Sequence, residues 1–320
     1  MKKQAVDIRE PGDGGKSMGN ARRDFIKMSA AGLATTGIGA HVRAAESTAG
    51  KSEVITGKGT ADKIIPKIFD RLGGIKEFVK PGSRVLIKPN MSFANPPELA
   101  TGTTPEALRS VVKLCLDAGA RRVVVCDNTL RDPELCKEKT GLAKAIEEFK
   151  GVAIFVPKQD GMFIEKTNDK AKALTRTNIV REFERTDCFI NLPCAKSHSA
   201  TGISLGIKGL MGLIQDRNEL HSKMDLHMGI AELLYYMRPT VTIVDATRAL
   251  LDNGPAGPGK VAELNTFVGG TDPVAVDSHT ATIADWYGRK FEGVNVKYIK
   301  NAMELGFGNA ESSKITEVAV

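Results

Sequence analysis

The chain has 320 residues, 42% hydrophobic and 26% charged, enough for one large or two small globular domains with a substantial core. No apolar run reaches the length of a membrane span. More than half of the net charge of +7 lies in residues 1–44, so the remainder lacks the basic surplus expected of a nucleic-acid binder.

Residues 1–19 are polar and glycine-rich. They lead into Asn20-Ala-Arg-Arg-Asp-Phe-Ile-Lys27, a mild apolar run from Met28 to Val42, and the small-residue exit Val42-Arg-Ala44. This order resembles a twin-arginine export signal read through Arg22, Arg23, Phe25 and Lys27, with Asn20 where Ser or Thr is usual. The other reading is an amphipathic surface helix with an incidental arginine pair. The resemblance implies a twin-arginine translocase as partner during export, cleavage after Ala44, and residence in the periplasm or cell envelope. No stable membrane span is expected after cleavage. Residues 45–60 read as a linker and 61–320 as a single domain.

Ala61 to Leu72 carries Ile64, Ile65, Ile68, Phe69 and Leu72 on one helical face. Arg84 to Asn90 is a buried strand ending in Lys88, Pro89 and Asn90. Thr104-Pro105-Glu106 opens a helix that closes at Gly119. A strand from Arg121 to Asn128, a helix from Gly141 to Lys150 and a strand from Val152 to Pro157 follow. Residues 158–178 are polar and read as a hairpin or an excursion. Cys188-Phe-Ile190 is a fourth strand, stopped by Pro193, which cannot continue a central ladder. Leu220 to Met237 is helical at least from Asp225, and Thr240 to Asp245 is a fifth strand. Asn253 to Lys260 is a Gly/Pro loop and Thr266 to Gly270 a short sixth strand. Asp272-Pro273 caps a helix reaching about Tyr287, and Val296 to Leu305 forms the last helix. Strands alternating with helices predict an α/β fold whose sheet is largely parallel, with mixed pairing left open, and covered by helices on both faces.

Ligands of such sheets bind beyond the carboxyl ends of the strands. Polar residues gather at those predicted ends: Lys88 and Asn90, Asp127 and Asn128, Asn191 with Lys196 and His198, Asp245, Thr271 and Asp272. Lys196 and His198 stand two apart, so an extended backbone points both to one side. Four glycines (Gly202, Gly206, Gly209, Gly212) surround Lys208 and let the backbone approach a neighbour closely. Cations, an imidazole and permissive backbone predict a site for a small anion, the alternative being a solvated loop and a packed glycine-rich helix. Lys196, His198, Asp127 and Asp245 are the candidate catalytic residues, with His198 as general acid or base. Lys88, Asn90, Thr104, Lys208 and Asp272 are the candidate substrate-binding residues.

His198, His221 and His227 form a divalent-metal set if a break before Asp225 lets them converge; otherwise they are hydrogen-bonded structural histidines. Gly254-Pro-Ala-Gly-Pro-Gly-Lys260 fits the spacing of a phosphate loop but lacks its chemistry. Pro255 and Pro258 have no N–H, and Val261 replaces the hydroxyl residue; the loop is kept as a candidate lid. Five cysteines without a C-x-x-C pair argue against a zinc ribbon, and against an iron–sulfur cluster held by this chain alone. Cys126 and Cys188 read as buried thiols, whereas Cys136 and Cys194 remain open as reactive or paired.

Taken together, Val85-Leu-Ile-Lys-Pro-Asn90, Thr104-Pro105, Asp127, Asn191-Leu-Pro with Lys196 and His198, Gly206-Ile-Lys208, His221, Val244-Asp245, Gly254-Pro255 with Gly257, and Thr271 to Asp277 resemble the domain of unknown function 362 family over roughly Val85 to Gly308. Many members resemble iron–sulfur proteins through a fused ferredoxin module, which this chain lacks. The family is also distantly similar to lactate-racemase-type proteins with Lys and His in the active site. The expectation is an exported enzyme acting on a small carboxylate or phosphate by Lys/His acid–base chemistry, assisted by a divalent metal if the histidines converge. The rival is a non-catalytic anion-binding protein, or an accessory protein of an exported iron–sulfur or redox complex.

Overall fold

Two-residue alternation in the strands splits the core into two layers. The computed structural model describes residues 50–320; the export-signal residues Arg22, Arg23, Phe25 and Lys27 lie outside them. In β2 (Arg84–Pro89), Val85 and Ile87 enter one layer and Leu86 the other. In β3 (Arg122–Cys126), Val123 and Val125 oppose Val124 and Cys126 in the same way. A strand apolar on both sides needs cover on both. Helices α1 (Ala61–Arg71), α2 (Ile75–Phe78), α3 (Pro105–Asp117), α4 (Pro133–Lys139) and α5 (Leu142–Ile146) supply one layer. On the other side stand α6 (Gly206–Gly209), α7 (Arg217–Ser222), α8 (Leu226–Glu232), α9 (Pro273–Ala281) and α10 (Lys297–Glu304).

The remaining strands are β1 (Ser52–Lys58), β4 (Val152–Phe155), β5 (Phe163–Thr167), β6 (Arg176–Val180), β7 (Cys188–Leu192), β8 (Cys194–His198), β9 (Gly202–Ser204), β10 (Val241–Leu250), β11 (Val261–Gly270), β12 (Asp285–Trp286), β13 (Arg289–Lys290) and β14 (Ile315–Ala319). The main sheet has the order β14-β1-β11-β10-β7-β2-β3-β4, with β8 attached along β10 and β9 along β8. From β10 to β4 every pair is parallel, as are β1 and β14, whereas β11 runs antiparallel to both β10 and β1. The fold is therefore α/β with a mixed, mostly parallel sheet. No helix among the described residues is long and apolar enough to cross a membrane.

Several boundaries depart from the sequence reading. The stretch expected as a linker contains β1, whose Val54 and Ile55 are fully buried between β11 and β14. Four core residues were too short a pattern to stand out beside a leader. Strand β11 is twice as long as expected because its first half is partly exposed and pairs with β10 as a hairpin. The helix expected from Leu220 to Met237 is broken at Lys223–Asp225, where the Asp225 carboxylate accepts the His227 and Met228 N–H groups and starts α8 anew. Helix α9 ends at Ala281, and the chain turns back through β12 and β13 at Tyr287 and Gly288, both at positive φ.

The direction of β11 has a functional consequence. An antiparallel strand delivers its C-terminal residue to the amino edge of its parallel neighbours, so Asp272 sits at the end of the sheet opposite Lys88 and Asp127. There it caps α9, accepting the Val274 and Ala275 N–H groups, and holds Ser52 and the Asn309 N–H. Asp272 thus clasps β1 to the segment that follows α10 and does not lie at the carboxyl edge, where it was expected to bind substrate.

Candidate functional site

Strands β2 and β7 end side by side while β10 runs on beside β8, and each of the two ends carries a polar residue into the interior. Lys88 lies in register with Asn191 of β7. Its ammonium donates to the Pro89 carbonyl at 2.5 Å and stands 3.2 Å from Asp127 Oδ1, just beyond β3. That contact pairs the charges without aligning a hydrogen bond, so Oδ1 has no donor. Asp127 Oδ2 instead accepts the Met91 N–H and the Ser92 hydroxyl. Gly212 presses against this pair: a Cβ there would stand 1.8 Å from Asp127 Oδ1 and 2.8 Å from Lys88 Cε. The glycine is therefore a requirement of close approach, not of backbone conformation.

Pro193 interrupts the ladder as expected. β7 stops at Leu192, the Pro193 carbonyl accepts the Asp245 N–H, and the chain resumes as β8 beside β10. Lys196 of β8 donates to the Thr101 carbonyl at 2.5 Å and lies 5.3 Å from the centre of the Phe93 ring. His198 follows two residues later. Its Nδ1 accepts the Ala200 N–H at 3.2 Å, which places the proton of the neutral ring on Nε2. The His221 ring, at the exposed end of α7, stacks on His198 with centroids 6.3 Å apart and planes within 7°.

Helix α6 brings in the third lysine. Asp277 of α9 is fully buried, and its two oxygens accept the Gly206 and Ile207 N–H groups at 2.8 and 2.9 Å. Burial pushes Asp277 up to about 7, while those two donors hold it down. Lys208, one residue along, has neither a hydrogen bond nor an ion pair to any described side chain. Relative exposures are 1% for Lys88, 4% for Lys196, 8% for Lys208 and 7% for His198. Arg217 completes the set from α7, donating to the Asn128 carbonyl.

Burial first, then the charges of Lys196, Arg217 and Lys88, push Lys208 down to about 7. His198 is driven down to about 3 by burial, followed by Lys208, Lys196 and His221. At neutral pH the cluster therefore offers a neutral imidazole and a lysine shared between amine and ammonium. Four cationic side chains face one free carboxylate, Asp127.

Asp245 forms no ion pair with these cations. Its Oδ2 accepts the Thr104 N–H and hydroxyl at 2.8 and 2.6 Å, and its Oδ1 accepts the Thr247 N–H and hydroxyl at 3.1 and 2.7 Å. This ties the start of α3 to β10. Thr104 serves as that helix's N-cap, so both residues are occupied with architecture. Asn90 is similarly engaged: its Oδ1 accepts the Cys194 N–H at 3.1 Å and thiol at 3.2 Å, locking β2 to β8. Neither Asp127 nor Asp245 hydrogen-bonds His198.

The histidine triad also separates. His198 and His221 meet, but His227 lies beyond the break at Asp225, its electrostatic surroundings set by Lys297 and Asp225. Among the described residues no group of three or more His, Cys, Asp or Glu side chains is arranged to hold a metal ion. The restart of α8 turns His227 away, and lysines occupy the space around the other two. All five cysteines are buried and free, so Cys136 and Cys194 are neither paired nor exposed; burial raises both thiols. The Asn253–Lys260 loop packs on β8, with the Gly254 N–H donating to Ser197 Oγ and its carbonyl accepting the Ser199 N–H. Sequence reasoning missed Arg217, because an arginine beside Asp216 and Glu219 looks like any solvated helix charge.

A cavity of about 910 Å³ lies elsewhere, against α1, α3 and the β10–β11 hairpin. It touches the site only through Thr104 and Thr247, the two partners of Asp245, and its charged lining residues are of both signs. The site is assigned to the lysine cluster because unmatched buried charge, not volume, is what a specific ligand must answer.

The profile of the family described as domain of unknown function (DUF362) matches residues 85–282. A thylakoid-associated protein of Synechocystis sp. is 25% identical over 221 residues, covering 66% of this chain and 65% of that protein; the chain thus spans less than two thirds of this relative's length. Among solved structures, the lactate racemase apoprotein of Thermoanaerobacterium thermosaccharolyticum is similar at a TM-score of 0.45 and 12% identity, over 71% of this chain and 55% of that one. A likeness at that level transfers nothing to the site.

The depressed Lys208 has a stability signature. Between pH 7 and the ordinary lysine range the unfolded chain binds a proton that the folded chain does not, so stability from this group rises with pH across that window. Below pH 7 the fold carries the full cost of a buried ammonium. Lys208→Met should therefore be more stable than wild type at pH 6, on the order of 1–3 kcal/mol, with the difference shrinking toward pH 10. Urea unfolding at both pH values checks this; a variant less stable than wild type at pH 6 contradicts it.

Proposed function

The chain belongs to the DUF362 family, a membership that names no reaction, and from the site itself we propose an enzyme that acts on a small carboxylate or phosphate by Lys/His proton transfer. The observation that carries this reading is Lys208: a buried lysine without a partner, among three other cations and one carboxylate. Burying such charge is costly unless it is matched. A small anion matches it, and Lys88, Lys196 and Arg217 hold that anion by charge-assisted hydrogen bonds. Lys208, near 7, takes or returns a proton at physiological pH. His198 presents Nε2–H as a donor to the developing charge. The second reading, an anion-binding protein without chemistry, draws on one observation: no carboxylate orients His198.

Calorimetric titration with oxalate and with inorganic phosphate tests the binding. Lys196→Met and Arg217→Met should each lower affinity for the preferred anion about tenfold or more, a charge-assisted bond contributing about 1.5–3 kcal/mol. Affinity should also fall as pH rises above 7, where Lys208 loses its proton. Equal affinity in wild type and both variants removes the site. Turnover lost in His198→Gln with binding retained favours the enzyme over the binding protein.

We further propose that the protein is exported by the twin-arginine route to the periplasm or cell envelope, with the translocase as its partner. The order of Arg22, Arg23, Phe25 and Lys27 ahead of an apolar run supports this. Translocases read guanidinium geometry beyond charge, so Arg22→Lys with Arg23→Lys should leave the protein in the cytoplasm. Normal delivery of that double variant, followed by cell fractionation, contradicts the address.

A further inference from the structure

The three buried lysines of the cluster are not equivalent. Lys88 donates to the Pro89 carbonyl and faces Asp127. Lys196 donates to the Thr101 carbonyl and lies against Phe93. Each of these two nitrogens is held by an acceptor of the protein. Lys208 alone has no acceptor among the described residues, and α6 holds it in place through the Asp277 clasp on Gly206 and Ile207. A lysine desolvated beside other cations is the environment that makes an amine nucleophilic.

We propose that Lys208 forms an imine with a carbonyl-bearing anion, a 2-oxo acid being the smallest class that fits. The inference rests on the anion-site reading above: Lys196, Lys88 and Arg217 take the carboxylate, which sets the adjacent carbonyl carbon before Lys208 Nζ. The nitrogen lone pair forms the C–N bond and the carbonyl oxygen becomes a hydroxyl with a proton from the nitrogen. The C–O bond then breaks, oxygen leaves as water carrying the nitrogen's second proton, and a neutral C=N bond remains. No oxidant or reductant enters. The surrounding cations stabilise the oxygen as charge develops on it, and the neutral His198 ring steadies the departing oxygen with a hydrogen bond from Nε2–H. At pH 7.5 a lysine near 7 is mostly amine, whereas an ordinary lysine is amine in about one part in a thousand; lower intrinsic basicity offsets part of that gain.

The test is reductive trapping. The full chain is incubated at pH 7.5 with pyruvate or glyoxylate and cyanoborohydride, then mapped by peptide mass spectrometry, with acetone as a neutral carbonyl and oxalate as an anion without a reactive carbonyl. The expected result is a single adduct on Lys208, on the order of tenfold or more above any other lysine, slowed by oxalate, absent with acetone, and lost in Lys208→Arg. Oxalate binding without trapping overturns the imine and leaves the anion site standing. Neither binding nor trapping overturns both. Adducts spread evenly over surface lysines also overturn the assignment, as does acetone labelling Lys208 as fast as pyruvate.

Discussion

The constraint on which this structure turns is the surplus of buried positive charge at the carboxyl edge of its sheet. Lys88, Lys196 and Lys208 are almost wholly removed from water. Only Asp127 pairs with one of them, Lys88, while Asp245 accepts four hydrogen bonds from threonines. Burying cations without matched anions works against folding. The rest of the domain offsets it with a sheet apolar on both faces and layered by helices on each side. Native proteins tolerate such local cost where function needs it. The surplus is therefore the ground on which an anionic ligand is proposed.

Several devices hold the surplus in place, two of them polar side chains and two of them backbone features. Pro193 ends β7 so that β8 can carry Lys196 and His198 past the sheet edge. Gly212 lets the α6 segment lie directly on the Lys88–Asp127 pair, where any side chain would collide. Asp277 grips the first turn of α6, and Asn90 joins β2 to β8. Removing the pressure from any of these would free a lysine to reach solvent, where its charge costs nothing and its chemistry becomes ordinary.

Much of this was legible in the sequence because it follows from local chemistry. The apolar runs, the Thr104-Pro105 helix start, the proline break and the pairing of Lys196 with His198 on one strand are all properties of short segments. What escaped depended on distant partners. Strand direction decided the fate of Asp272: nothing in Thr266–Gly270 says which way it runs, and the antiparallel β11 carried that aspartate to the far edge. The Asp225 cap, which turns His227 away from His198 and His221, is visible as a residue type but not as an angle. The roles of Asp245 and Thr104 were exchanged for the same reason. Both looked like site groups at a strand end and a loop, yet they satisfy each other across 141 residues. Arg217 joined the cluster without any local sign.

The account stands or falls on whether an anion occupies the centre of the cluster. A crystal structure of the mature domain grown with saturating oxalate measures that directly. The predicted result is an oxalate whose oxygens lie within hydrogen-bonding distance of both Lys208 Nζ and Lys196 Nζ, beneath the paired rings of His198 and His221. The contradicting result is a cluster without oxalate in which Lys208 has closed onto an acceptor of the protein itself.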